Sequence, residues 1–276
     1  MLLPLEGIRI VSLAINVPGP VAAAGLRDLG ASIVKIEPPT GDPLSEYSPE
    51  WYRNLTQGQE VLKLDLKEAE QREKFNALLN QTDLLITSMR PGALERLNLT
   101  WLKLREQFQK LSQISIVGYD FPRENLCGHD LTYQAKAGLI SPPNLPNTLI
   151  ADLATAEKVI STALALILAR QKEQIGAFSQ ISIESVVNGF RTPIRYGLTS
   201  PSGLLGGEFP GYNIYRTAEG WIAVAALEPH FWNKLIRQLD LGDIKHKDLQ
   251  NVFSTRTAIE WESWADVNDI PISALG

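Results

Sequence analysis

In the first half of the chain, short apolar runs rich in β-branched residues alternate with longer segments whose apolar residues recur at helical spacing. Residues 8–13, 32–37, 61–66, 83–87 and 114–117 have the length and composition of strands. Between them, Pro20 suits the first turn of a helix ending at Gly30, a charged helix spans 68–79, and a third spans 102–108 with Thr100 as its cap. Pro38-Pro39 closes the second strand. Strands and helices alternating at this length predict an α/β fold with a doubly wound, mostly parallel sheet.

After Asp152 a largely apolar helix runs through Val159, Ala163, Leu166 and Ile167 to about Arg170, and its composition predicts burial. A strand at 179–183 and the start of a helix at 184–190 follow. Residues 191–211, rich in Pro, Gly and Ser, read as a linker or exposed loop, dividing a large domain, 1–190, from a smaller α+β domain, 205–276. In the latter, 212–216 and 221–226 pair as strands turning at Ala218-Glu219-Gly220, and 231–239 form a helix.

Composition narrows the function classes. With 276 residues, 44% of them hydrophobic and 21% charged, the chain can bury one large core or two modest ones. A net charge of −5 gives no basic field for nucleic acid or an anionic membrane, while leaving local cations for a phosphorylated ligand. The single cysteine, Cys127, excludes an internal disulfide and a cysteine zinc site, and no metal is expected. Pro4, Glu6 and Arg9 interrupt the N-terminus, so no signal peptide is expected, and the longest apolar stretch, 160–169, is too short to span a bilayer. A cytoplasmic location is the default.

Candidate chemistry gathers at Cys127-Gly128-His129-Asp130-Leu131-Thr132-Tyr133 and at Ile150-Ala151-Asp152-Leu153. There a histidine and carboxylates stand at predicted helix starts. Enolate chemistry needs two titratable groups facing one carbon, although Asp130 and Asp152 would equally serve as plain N-caps. A dinucleotide site with Glu37 on a ribose is the obvious rival, but the first turn reads Val17-Pro18-Gly19-Pro20, with prolines where glycines must let a pyrophosphate approach. Cys127 beside His129 suggests a nucleophile pair, yet a small buried residue is the simpler reading.

The order of further motifs resembles the family III CoA-transferase superfamily, and within it the α-methylacyl-CoA racemase subgroup. Its carriers are Leu5-Glu6-Gly7-Ile8-Arg9-Ile10, Gly19-Pro20, Asp28-Leu29-Gly30-Ala31, Lys35-Ile36-Glu37-Pro38-Pro39 and Arg90-Pro91-Gly92-Ala93. Gly128-His129-Asp130, Asp152 and Leu227-Glu228-Pro229-His230 continue the series. The resemblance implies a Rossmann-like large domain, a smaller second domain and an interlocked homodimer acting on an acyl-CoA thioester, with no cofactor beyond the coenzyme A of the substrate. In a racemase of this type His129 and Asp152 are opposed bases at the α-carbon, Glu228 orients the histidine, and backbone N–H groups at the start of the Asp152 helix hold the enolate. A transferase would use Asp152 as nucleophile, and an inactive relative would keep the fold alone. Gly19, Lys35 and Arg90 are the positions implied for coenzyme A.

Three departures from the family pattern carry expectations. Residues 54–60 lack the basic residues that relatives direct at phosphate, so one clamp is expected to be missing. Ala154-Thr155-Ala156 stand where relatives have glycines, which is expected to narrow the site. The chain ends at Ala274-Leu275-Gly276 where relatives continue, so a truncated small domain and an altered ring closure are expected.

Overall fold

Six strands of the first unit form one sheet, and every pairing in it is parallel. The computed structural model describes residues 3–242 and 246–276, which fall into two compact units, Met1–Arg191 and Thr192–Gly276. The first unit runs β1 (Arg9–Ser12), α1 (Pro18–Asp28), β2 (Ser32–Glu37), α2 (Leu44–Tyr47), α3 (Pro49–Thr56), β3 (Glu60–Lys63) and α4 (Ala69–Leu79). It continues through β4 (Leu84–Thr87), α5 (Pro91–Arg96), α6 (Trp101–Gln107), β5 (Ser112–Val117), α7 (Asp130–Lys136), α8 (Ile150–Glu173), β6 (Phe178–Ser182) and α9 (Ile183–Gly189). The strand order β3-β2-β1-β4-β5-β6 is that of a doubly wound sheet, with the reversal between β1 and β4.

Alternating strand positions feed two cores. Ile10, Ile33, Leu84, Ile86, Ile114 and Ile181 pack with α1 and α8 on one face. Val11, Ile36 and Leu85 meet Phe75, Leu79, Leu94 and Leu104 from α4, α5 and α6 on the other. A strand covered on both faces is apolar at nearly every position, which is why β4 is buried throughout, while the edge strand β3 is mostly exposed. Helices α2, α3 and α5 went unread in the sequence because they are short and their apolar positions are few.

The second unit contains α10 (Thr192–Arg195), a π-helical turn (Leu204–Glu208), β7 (Tyr212–Arg216), β8 (Trp221–Ala225), α11 (Pro229–Gln238), α12 (His246–Phe253), α13 (Ala258–Asn268) and β9 (Ile272–Ala274). Its sheet is antiparallel, in the order β7-β8-β9. Ile222, Val224, Leu235, Phe253 and Trp261 form its core. Among the described residues no helix is long and apolar enough to cross a membrane.

Candidate active site

A cavity of about 370 Å³ opens over the carboxyl ends of β1, β4 and β5, beside the point where the strand order reverses. Open α/β sheets bind ligands at this place because the loops from neighbouring strands diverge there. Asn16 comes from the β1–α1 turn, Arg90 from the β4–α5 loop, Gly118 from the end of β5, and His129, Tyr133 and Asp152 from α7, α8 and the loop before them. The Ile15 N–H donates to Ser88 Oγ at 3.2 Å and ties the first two loops together.

Asp152 and Asp130, which sequence spacing offers equally as helix caps, part company in the structure. Asp130 is the first residue of α7 and is buried, yet its carboxylate caps a different helix. Its Oδ1 accepts the N–H groups of Ala151 and Asp152 at 2.9 and 3.0 Å, the second and third positions of α8. Leu149 holds the cap position of α8 and has no side-chain acceptor, so Asp130 replaces it from outside. The Gln134 amide, donating to Asp130 Oδ2 and to the Thr148 carbonyl, fixes that carboxylate.

This arrangement decides the state of Asp152. The dipole at the start of α8 would ordinarily favour a second carboxylate, but Asp130 already occupies the N–H groups of Ala151 and Asp152. Asp152 is partly buried and its carboxyl makes no hydrogen bond or ion pair among the described residues. Burial first, and the Asp130 charge second, push its pKa from 3.8 up to about 7. The expectation that N–H groups of this helix receive an enolate is therefore corrected for Ala151 and Asp152, whose N–H groups are taken.

His129 is the N-cap residue of α7 and is exposed, with backbone N–H and carbonyl tied to the Thr132 hydroxyl at 3.1 and 2.7 Å. Its side chain lines the same cavity as Asp152. The Arg90 guanidinium is exposed at the cavity and unpaired among the described residues.

Lys35 is placed otherwise than its assignment to coenzyme A requires. It is 1% exposed, and its ammonium is held by Glu37 at 2.9 Å and by Asp42. Two buried carboxylates satisfy it, so it offers no charge to a ligand. The Asp42 carboxylate also accepts the Asn16 N–H at 3.0 Å, and Asn16, at φ 69°, lines the cavity. Lys35 thus braces the β1–α1 turn from below. Gly19 is buried in the first turn of α1, where a Cβ would overlap that of Ala14. Since Pro18 and Pro20 have no N–H, Gly19 carries the one amide donor of the first three residues of α1.

Glu228 belongs to the second unit, exposed at the N-cap of α11, where its side chain caps nothing. Cys127, expected to be buried, is exposed and lines the cavity. Ala154, Thr155 and Ala156, expected to narrow the site, are not among the lining residues, and Thr155 and Ala156 face the core. Sequence reasoning missed Asn16 and Tyr133 as lining residues of the cavity. The short polar Asn16 inside an apolar turn was the available signal for the first.

A sequence model of CoA-transferase family III matches residues 5–275. The α-methylacyl-CoA racemase of Homo sapiens is 29% identical over 98% of this chain and 77% of its own length. The succinyl-CoA:mesaconate CoA-transferase of Haloarcula hispanica is 26% identical over 87% of this chain and 68% of its own. The crystal structure of a hypothetical protein from Mycobacterium tuberculosis superposes with a TM-score of 0.83 at 23% identity, covering 99% of this chain and 83% of that one.

Proposed function

Because this chain belongs to CoA-transferase family III, we propose that it is an acyl-CoA racemase or epimerase, moving the α-hydrogen of a 2-methylacyl-CoA-type thioester by 1,1-proton transfer. The observation that carries this reading is Asp152: an unpaired carboxyl with a pKa lifted to about 7, in one cavity with His129. A carboxylate at its ordinary value is a weak base, and one far above neutrality is never ionised. Near 7 it both takes and returns a proton, as reversible 1,1-transfer requires.

In this reading one of His129 and Asp152 removes the α-proton from one face, and the C–H electron pair moves toward the thioester carbonyl to form the enolate. The other group, protonated beforehand, delivers its proton to the opposite face. Glu228 is proposed to orient His129, Arg90 to hold a coenzyme A phosphate through its free guanidinium, and the Gly19 N–H to serve the same ligand. Lys35 is left out, its charge being spent on Glu37 and Asp42. A homodimer, as the family resemblance implies, belongs to the same proposal.

CoA transfer through Asp152 as nucleophile is the competing chemistry, and a relative named as a CoA-transferase keeps it open. Incubating one epimer of a 2-methylacyl-CoA in deuterated water without an acceptor acid separates the two. Racemisation places deuterium at the α-carbon and yields both epimers. Asp152→Asn is expected to abolish the exchange, and His129→Ala to slow it by roughly a hundredfold. Full retention of the α-hydrogen, with CoA transfer between two acids that survives His129→Ala, would sink the racemase reading.

A further inference from the structure

Tyr133 is 3% exposed, and its ring lies edge-on to Tyr119 with centroids 5.2 Å apart. Packing alone would explain a phenylalanine here. The hydroxyl sits between Gly118 and Gly128, and a Cβ on either would overlap it. Both glycines line the cavity that holds His129 and Asp152, so the phenolic oxygen borders the cavity that these groups share. Buried tyrosine hydroxyls normally find a hydrogen-bond partner. This one has none among the described residues. Burial, chiefly, with neighbouring charges that include Asp152, raises its pKa, so it remains an O–H donor at physiological pH.

Any thioester enolate formed here needs donors aimed at its oxygen, and the two backbone donors nearest Asp152 are closed to it. The N–H groups of Ala151 and Asp152 are held by Asp130, and Pro18 and Pro20 have no N–H to give. Resting on the proton-transfer reading above, we propose that Tyr133 is a catalytic residue whose hydroxyl donates a hydrogen bond to the thioester oxygen as the enolate forms. When base removes the α-proton, the C–H pair becomes a carbon–carbon π bond and the carbonyl π pair moves onto oxygen. Tyr133 shares its proton with that oxygen without giving it up, and reprotonation at carbon reverses the flow. A preset donor at the oxygen that gains charge acts more on the transition state than on the bound substrate.

Tyr133→Phe keeps the ring and removes only the unpaired hydroxyl, so the variant is expected to melt within a few degrees of wild type. Deuterium exchange at the α-carbon should lose on the order of a hundredfold in kcat, with KM within about threefold. Acetoacetyl-CoA provides a second probe that needs no turnover, because its enolate absorbs in the near ultraviolet and its keto form does not. Wild type should raise the enolate fraction of the bound probe at a pH where the free probe is mostly keto, and Tyr133→Phe should bind it with little enrichment. A variant matching wild type in enolate fraction overturns the proposal, as does a wild type that enriches no enolate. A wild type that enriches the enolate but leaves a 2-methylacyl-CoA epimer unexchanged overturns the racemase reading and leaves the Tyr133 donor supported.

Discussion

Asp152 holds its proton at the expense of stability once the medium becomes neutral. Between 3.8 and about 7 the native state retains a proton that the unfolded chain has released. Stability from this group is therefore present at low pH and lost as pH rises through that window. Asp152→Asn removes the titration, so its unfolding free energy in urea should match wild type near pH 4 and exceed it near pH 8, by on the order of 2 kcal/mol after discounting for the partial exposure of Asp152. Equal free energies at pH 8 would mean that the carboxylate is better solvated than its surroundings suggest. Lys35 is the opposite case, a charge buried with partners. Lys35 and Glu37 are two apart on one strand, so they share a face, and β2 is covered on both sides. Residue spacing could have flagged that pair, whereas Asp42, beyond Pro38-Pro39, could not be placed from spacing.

At the scale of elements, α8 owes its start to another helix. Asp130→Ala would strip two N–H groups of their acceptor and leave the Gln134 amide without the carboxylate that it bonds. The expected cost is about 1–3 kcal/mol, read as a lower melting temperature. The same substitution removes the second cause of the raised Asp152 pKa and frees N–H groups beside it, so the pH at which Asp152 ionises should fall in an α-hydrogen exchange profile. An unmoved profile would leave burial as the whole cause. Some elements were open to sequence reading and were not read. Thr257 and Glu260 form a reciprocal capping box at the start of α13, with the Thr257 N–H donating to Glu260 Oε2 at 2.8 Å, and Thr-x-x-Glu is a recognisable signal for it. Strand β9 has three residues, too few for any periodicity.

For the molecule as a whole, an acidic chain that takes an anionic ligand must do so with a few placed cations. Arg90 is an exposed cavity cation unpaired among the described residues, and Lys35 is withdrawn into the core. Titrating free coenzyme A by calorimetry should show binding that weakens with salt. Arg90→Ala should weaken it by roughly tenfold and flatten the salt dependence, as expected for the loss of a charge-assisted contact. An unchanged affinity would move the phosphate site away from the β4–α5 loop. The parallel sheet and the placing of His129 and Asp152 near helix starts were determined by the sequence itself, because strand alternation, helical period and capping preference are local properties that act over a few residues. Tertiary structure alone decided that Lys35 is a buried brace, that Asp130 caps α8 rather than α7, that the Tyr133 hydroxyl stands unpaired at the cavity, and that Asp152 titrates near neutrality. Those outcomes depend on distances between residues remote in the chain and on the water excluded around them, neither of which is a property of spacing along the sequence.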